Sequence, residues 1–238
     1  MNVIFDFEYT LLAEESTVEV LNIALESHSD RRTLQARLKV IAPRALAGKT
    51  TWRELLYLYW MATRIRQVHI QHYIERRRRA LHPSLQELIA QLKKDHVNIF
   101  IISGGYEEWI KPLASGWGID TKNVIANRFC WCRNRVIGIH RSPLLSSSRG
   151  KPTIVDKWKK EGRLQGPTVL VGDGHADRAV WQRGLVEGFI ATEYYANENL
   201  VGGQRLLYAS RVEQLLEQIH YLLSVPKTIG HREDSHSS

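Results

Sequence analysis

The chain has 238 residues, 43% hydrophobic and 24% charged, a composition that builds one domain or one core with an insertion and excludes a disordered protein. Its 33 Lys and Arg against 25 Asp and Glu leave a net charge of +8, which points to anionic ligands without choosing between nucleic acid and a phosphorylated metabolite. Cys130 and Cys132 are too close to staple a loop and lack partners for a zinc site, and no run of about 18 apolar residues could span a bilayer, so the expectation is a soluble, cytoplasmic protein.

Residues 2–6, Asn-Val-Ile-Phe-Asp, form a short apolar run closed by an acid and read as the first buried strand of a parallel sheet. From there to residue 82 the texture changes: no strand is visible, and helical patterns cover 17–26, 30–42, 51–64 and 67–79. A helix over 85–94, a strand over 97–102 closing at Ser103-Gly104-Gly105, and a helix over 107–117 come next. Residues 124–140 suit a hairpin with Arg133-Asn134-Arg135 at its turn. A helix over 152–161, a third strand over 167–173, a helix over 176–183 and a strand over 188–192 complete the alternation. Strands alternating with helices predict an α/β fold, a Rossmann-like three-layer sandwich with a mostly parallel sheet. The core is expected from residues 1–12 and 83–224, with residues 13–82 inserted as a helical cap, and residues 225–238 as a disordered tail.

In open α/β sheets, ligands sit outside the carboxyl ends of the strands, so the polar residues closing each strand converge on one crevice. Here these are Asp6, Glu8, Ser103, Gly104 and Asp173, with Asp177 four residues on and Lys151 opening a helix. Asp6 and Asp173 offer the hard oxygen ligands that Mg²⁺ prefers, and Asp177 can hold a metal-bound water. Ser103, with the amides at the start of the following helix, suits a phosphoryl oxygen, and Lys151 would neutralise its charge. Asp6 is the candidate nucleophile, forming an aspartyl-phosphate that water then hydrolyses. Glu8, two residues along, is placed to protonate the leaving oxygen and later to activate water.

Taken in order, Asp6-x-Glu8-x-Thr10, Ser103, Lys151 and Gly172-Asp173-Gly174-x-x-Asp177 resemble the four motifs of the haloacid dehalogenase superfamily of phosphatases. Ile102-Ser-Gly-Gly-Tyr106, Asn123-Val-Ile-Ala-Asn-Arg128 and the Glu14-Glu15 pair are similar to phosphoserine phosphatases, from residue 2 to about residue 220. The resemblance implies Mg²⁺ dependence and a ligand set of Asp6, the backbone carbonyl of Glu8, and Asp173, with Asp177 beside them. It also implies a cap in the insertion, a small phosphorylated substrate, and a substrate-binding role for Glu15. The chain departs from the family at three positions. Glu8 stands where the family has Asp, Tyr9 where it has Gly or Ser, and Tyr59 where phosphoserine phosphatases carry an arginine for the substrate carboxylate.

Arg76–Arg79 closes an inserted helix and reads as a solvated face favoured by the helix dipole, with no nucleic-acid-binding module beside it. Trp52, Tyr57, Tyr59 and Trp60 read as packing of the third inserted helix. Cys130-Trp131-Cys132 is expected to alternate across a strand with one side buried, and His175 to be an exposed loop residue. The rival to an enzyme is a phosphatase-fold protein weakened at Glu8 that binds an anionic partner through its basic cap. The sequence does not fix the oligomeric state.

Overall fold

A computed structural model of the chain describes residues 1–46, 49–145, 149–195 and 206–224. The first strand, β1 (Asn2–Phe5), is buried on both faces. Val3 and Phe5 enter one apolar cluster, whereas Ile4 enters another on the opposite side. That alternation recurs in β2 (Asn98–Tyr106), where Ile99 and Ile101 oppose Phe100 and Ile102, and in β6 (Thr168–Gly172), where Val169 and Val171 oppose Leu170. Strands buried on both sides need apolar residues at every position, which is why they stood out as continuous Val/Ile/Leu runs.

With β3 (Val124–Asn127), β7 (Gly188–Thr192) and β8 (Leu206–Ala209) these strands make a parallel six-stranded sheet in the order β3-β2-β1-β6-β7-β8. One face carries α5 (Pro83–Lys94), α6 (Glu107–Gly116) and α9 (Leu215–Ser224); the other carries α7 (Gly150–Lys160) and α8 (His175–Gln182). The α/β three-layer expectation holds. Between β1 and α5 run four helices, α1 (Ser16–Leu25), α2 (Arg31–Leu46), α3 (Trp52–Ala62) and α4 (Gln67–Arg77). Their apolar residues, among them Leu25, Leu38, Met61, Ile70 and Tyr73, belong to the same cluster as Val3, Phe5 and Trp109 of the sheet side. Among the described residues no helix is long and apolar enough to cross a membrane.

Several local expectations are corrected. Residues 124–140 do not form one hairpin: β3 joins the main sheet beside β2, and only β4 (Phe129–Cys132) and β5 (Arg135–Ile139) pair as an antiparallel ribbon. Val124, Ala126 and Asn127 are buried, the mark of a sheet strand rather than of a surface ribbon. A bulge between Cys130 and Trp131 breaks the expected alternation, leaving Cys130 half-buried and Cys132 exposed. On α3, Tyr57 and Trp60 pack with Met61, but Trp52 and Tyr59 lie on the opposite stripe, 66% and 45% exposed. The 3.6-residue period puts 52, 56 and 59 on one face and 57, 60 and 61 on the other. The weakly patterned β8 and α9 were not foreseen as separate elements, and the 225–238 tail lies outside the described residues.

Candidate active site

β1 lies between β2 and β6, where the order of connections reverses, so the crevice outside its carboxyl end is the natural ligand site. Asp6 is the first residue past β1, and its amide donates to the Val171 carbonyl of β6 at 2.9 Å, fixing it beside Asp173. Asp6, Asp173 and Asp177 each place a carboxylate oxygen within 4.8 Å of the others. Asp177 comes from the first turn of α8, and a Cβ on Gly172 would overlap its carboxyl group, so only glycine lets the helix approach this closely.

Lys151, in the first turn of α7, completes the group. Its Nζ lies 2.7 Å from Asp6 Oδ2 and 2.7 Å from Asp177 Oδ1, and all three side chains are buried. Burial works against the ammonium, but Asp177 and Asp6 outweigh it and hold Lys151 protonated well above its ordinary range. The Asp177 carboxyl is pushed up by burial and by Asp6, against the pull of Lys151. Its Oδ2 is buried without a hydrogen-bond partner among the described residues. Three converging carboxylates, one with an unpartnered buried oxygen, fit a hard divalent cation such as Mg²⁺.

Glu8 is held differently. Its Oε1 accepts from Ser16 Oγ, and its Oε2 accepts from Ser103 Oγ at 2.5 Å. Each hydroxyl is itself oriented by a donor, Ser16 by Trp109 Nε1 at 2.8 Å and Ser103 by the Gly105 amide at 2.8 Å. With both hydroxyl oxygens accepting from fixed N–H groups, both hydroxyl protons point to the glutamate. The longer side chain spans from the strand end to the first turn of α1. Burial and the charge of Asp6 push its carboxyl above the ordinary range, against the two serine hydrogen bonds. A Cβ on Gly105 would overlap Glu8 Oε1, so this packing also requires glycine. Ser16 and Trp109 were not singled out from the sequence; a serine opening a helix carried no signal beyond an ordinary cap.

The other expected residues lie around this centre. Tyr9 has φ +50°, the left-handed region that costs a non-glycine residue about 1–2 kcal/mol, at the position where the family has a small residue. Gly104 is exposed, with open space where a Cβ would be, and its carbonyl accepts from Asn127 Nδ2 at 2.7 Å. Glu15 precedes α1, and its carboxyl is pushed up to about 9 by burial and by the charges of Glu8, Asp6 and Asp173. Its neighbour Glu14 instead receives Arg77 Nε and Nη2, each at 2.6 Å, and the Tyr73 hydroxyl at 2.9 Å. Thus one member of the Arg76–Arg79 run is a structural anchor rather than a solvated charge. His175 opens α8 and is exposed.

A model of the haloacid dehalogenase-like hydrolase family matches residues 3–181. The chain is similar to the chloroplastic phosphoserine phosphatase of Arabidopsis thaliana, 28% identical over 148 residues, covering 62% of this chain and 50% of the relative. It is similar to the phosphoserine phosphatase of Drosophila melanogaster, 26% identical over 179 residues, covering 74% of this chain and 62% of the relative. The chain therefore spans half to about three fifths of the length of these relatives. Among solved structures, a phosphoserine phosphohydrolase-like protein from Francisella tularensis superposes with a TM-score of 0.74 at 24% identity, covering 92% of this chain and 99% of the other. A substrate-bound phosphoserine phosphatase superposes with a TM-score of 0.67 at 21% identity, covering 92% and 96%. At these identities the superpositions establish the fold.

Proposed function

The chain belongs to the haloacid dehalogenase-like hydrolase family, and from that premise we propose that it is a phosphatase hydrolysing a small phosphomonoester of the phosphoserine type through an aspartyl-phosphate on Asp6. The observation that carries this reading is Lys151 Nζ at 2.7 Å from both Asp6 and Asp177, beside Asp173. A buried carboxylate fixed at one oxygen by an ammonium is a nucleophile held in position at the mouth of the crevice.

Asp6, Asp173 and the Glu8 backbone carbonyl would hold Mg²⁺, with Asp177 beside them. The ion supplies positive charge to the phosphoryl oxygens and lets an anionic nucleophile approach phosphorus. Asp6 attacks phosphorus; the new bond joins an Asp6 oxygen to phosphorus, and the bond to the leaving oxygen breaks. Glu8, whose raised proton affinity suits a general acid, delivers a proton to that oxygen. Water then attacks the aspartyl-phosphate with Glu8 as base, releasing inorganic phosphate and restoring Asp6. In this reading the Ser103–Glu8 hydrogen bond is exchanged when substrate binds: Ser103 turns to a phosphoryl oxygen, joined by Gly104 and Lys151, and Glu8 turns to the leaving oxygen.

Glu15 supports a substrate bearing an ammonium group. It stands in the field of Glu8, Asp6 and Asp173 and has no basic partner within 4.0 Å among the described residues, so a cationic substituent would relieve its strained ionisation. Phosphate release from a panel of phosphomonoesters including phosphoserine, with and without Mg²⁺, tests the function. The parent should turn over at least one of them, and Asp6→Asn should lower kcat by about 10³-fold or more while remaining folded. Full activity of Asp6→Asn would overturn the mechanism.

A further inference from the structure

The chain's positive charge is concentrated in the insertion. Residues 13–82 hold thirteen Lys or Arg against seven Asp or Glu, which accounts for six of the eight net charges. Within this segment, α1, α3 and the start of α4 meet β5 of the ribbon around a cleft of about 670 Å³. Arg64, Arg66, Arg135, His28, His69 and Tyr59 line it, and among the described residues no acidic one does. Among the described residues none of the three arginines has a carboxylate within 4.0 Å. The acid whose field reaches His69 is Glu26, and it faces Arg76 at 3.7 Å.

The two histidines add donors. His28 Nδ1 accepts from the Asp30 amide at 3.1 Å, and His69 Nδ1 accepts from the Arg66 amide at 3.2 Å. With Nδ1 so occupied, the neutral ring carries its proton on Nε2, so each imidazole is a donor there. Burial and the Arg66 charge lower the proton affinity of His69, as expected where positive charge has no counterion. Arg64 lies over the Trp60 ring at 4.6 Å, and the Tyr59 hydroxyl donates to the Ile137 carbonyl at 2.6 Å, which fix two walls.

None of Asp6, Glu8, Glu15, Ser103, Lys151, Asp173 or Asp177 borders this cleft. On α1 the cleft begins at Ala24, eight residues past Ser16, the serine bonded to Glu8; eight residues of helix span about 12 Å. We infer that this cleft is a second ligand site, distinct from the catalytic centre, that binds a small phosphate-bearing anion of several charges. A lining of guanidinium and imidazole donors with no acid calls for an anion with several acceptor oxygens. The volume falls within the range of small-molecule sites, and Tyr59 and Ile137 offer an apolar wall to the ligand's organic part. The inference does not depend on the phosphatase reading.

Calorimetric titration of the metal-free protein with pyrophosphate and with ATP tests it. The expected result is one site for at least one probe, weakened about 10-fold or more in the Arg64→Ala/Arg135→Ala protein and unchanged in Lys151→Ala. Affinity should also fall as salt rises from 50 to 200 mM. Both arginines are exposed, so the double variant should keep the parent's unfolding midpoint, which shows that loss of binding is not loss of fold. No binding of either probe, or binding lost in Lys151→Ala and kept in the arginine variant, would overturn the proposal.

Discussion

Ser103 Oγ donates to Glu8 Oε2 at 2.5 Å, so the hydroxyl assigned to phosphate and the acid assigned to proton transfer are partners of each other before any substrate arrives. The arrangement depends on the length of glutamate. Its other oxygen is taken by Ser16, on the far side of the turn that follows β1.

If Glu8 is the acid and base, Glu8→Gln removes the proton while keeping the shape. Steady-state kinetics on the best substrate should show kcat reduced by about 10²–10⁴-fold, with KM changed far less. An unchanged kcat would assign the proton to another group and leave Glu8 a structural strut between Ser16 and Ser103.

Metal binding can be read without turnover. Mg²⁺ at 100 times its Kd stabilises by about 2.7 kcal/mol, which in a chain of this size raises Tm by about 5–10 °C. Gly172→Ala should abolish the rise, because the added Cβ overlaps the Asp177 carboxyl. Differential scanning calorimetry with Mg²⁺ and with EDTA on both proteins measures it; an equal rise in the variant would place the cation elsewhere.

Glu15, beside these acids, makes the metal-free protein sensitive to pH. Glu15 is raised from 4.5 to about 9, so the folded chain binds that proton more tightly than the unfolded chain does. Its stabilising contribution is full below the unfolded value of 4.5 and is lost as pH climbs toward 9. In EDTA, Tm should therefore decline between pH 5 and 9. Glu15→Gln should flatten that decline, and so should Mg²⁺, which offsets the charge of Asp6 and Asp173. A Glu15→Gln protein with the parent's slope would contradict the assignment.

Arg77 meets Glu14 through two parallel hydrogen bonds, and both side chains are largely shielded, 29% and 22% exposed. Arg77→Met should lower stability by about 1–2 kcal/mol. Arg78→Met, on an exposed neighbour, should stay within about 0.5 kcal/mol of the parent. Urea unfolding of the two variants compares them directly, and equal midpoints would show that the Glu14 pair contributes nothing measurable.

Much of this is legible in the sequence. Strands buried on two faces leave unbroken apolar runs, so β1, β2 and β6 and the polar residues that close them can be read directly, and with them the convergence of Asp6, Lys151, Asp173 and Asp177. The strand β3 was misassigned to the ribbon because its four residues are followed at once by the apolar start of β4, and periodicity does not mark where one pairing partner is exchanged for another. The Glu8 network was invisible for a different reason. Ser16 and Trp109 are 93 residues apart in sequence, and neither residue type at its own position announces a bond to the other. Nor does hydrophobicity alone decide which stripe of α3 faces inward, because Leu55 and Leu56 are as apolar as the residues that pack.

The apolar cluster beneath the sheet runs without interruption from Phe5, Phe7 and Trp109 into Leu25, Leu38, Met61 and Tyr73 of the inserted helices. The insertion is thus not a bolt-on part. Grafting a relative's helices into this chain would require recutting the floor on which they rest, starting with the indole of Trp109 and its bond to Ser16, since the same side chains that seat those helices also hold Glu8 in place.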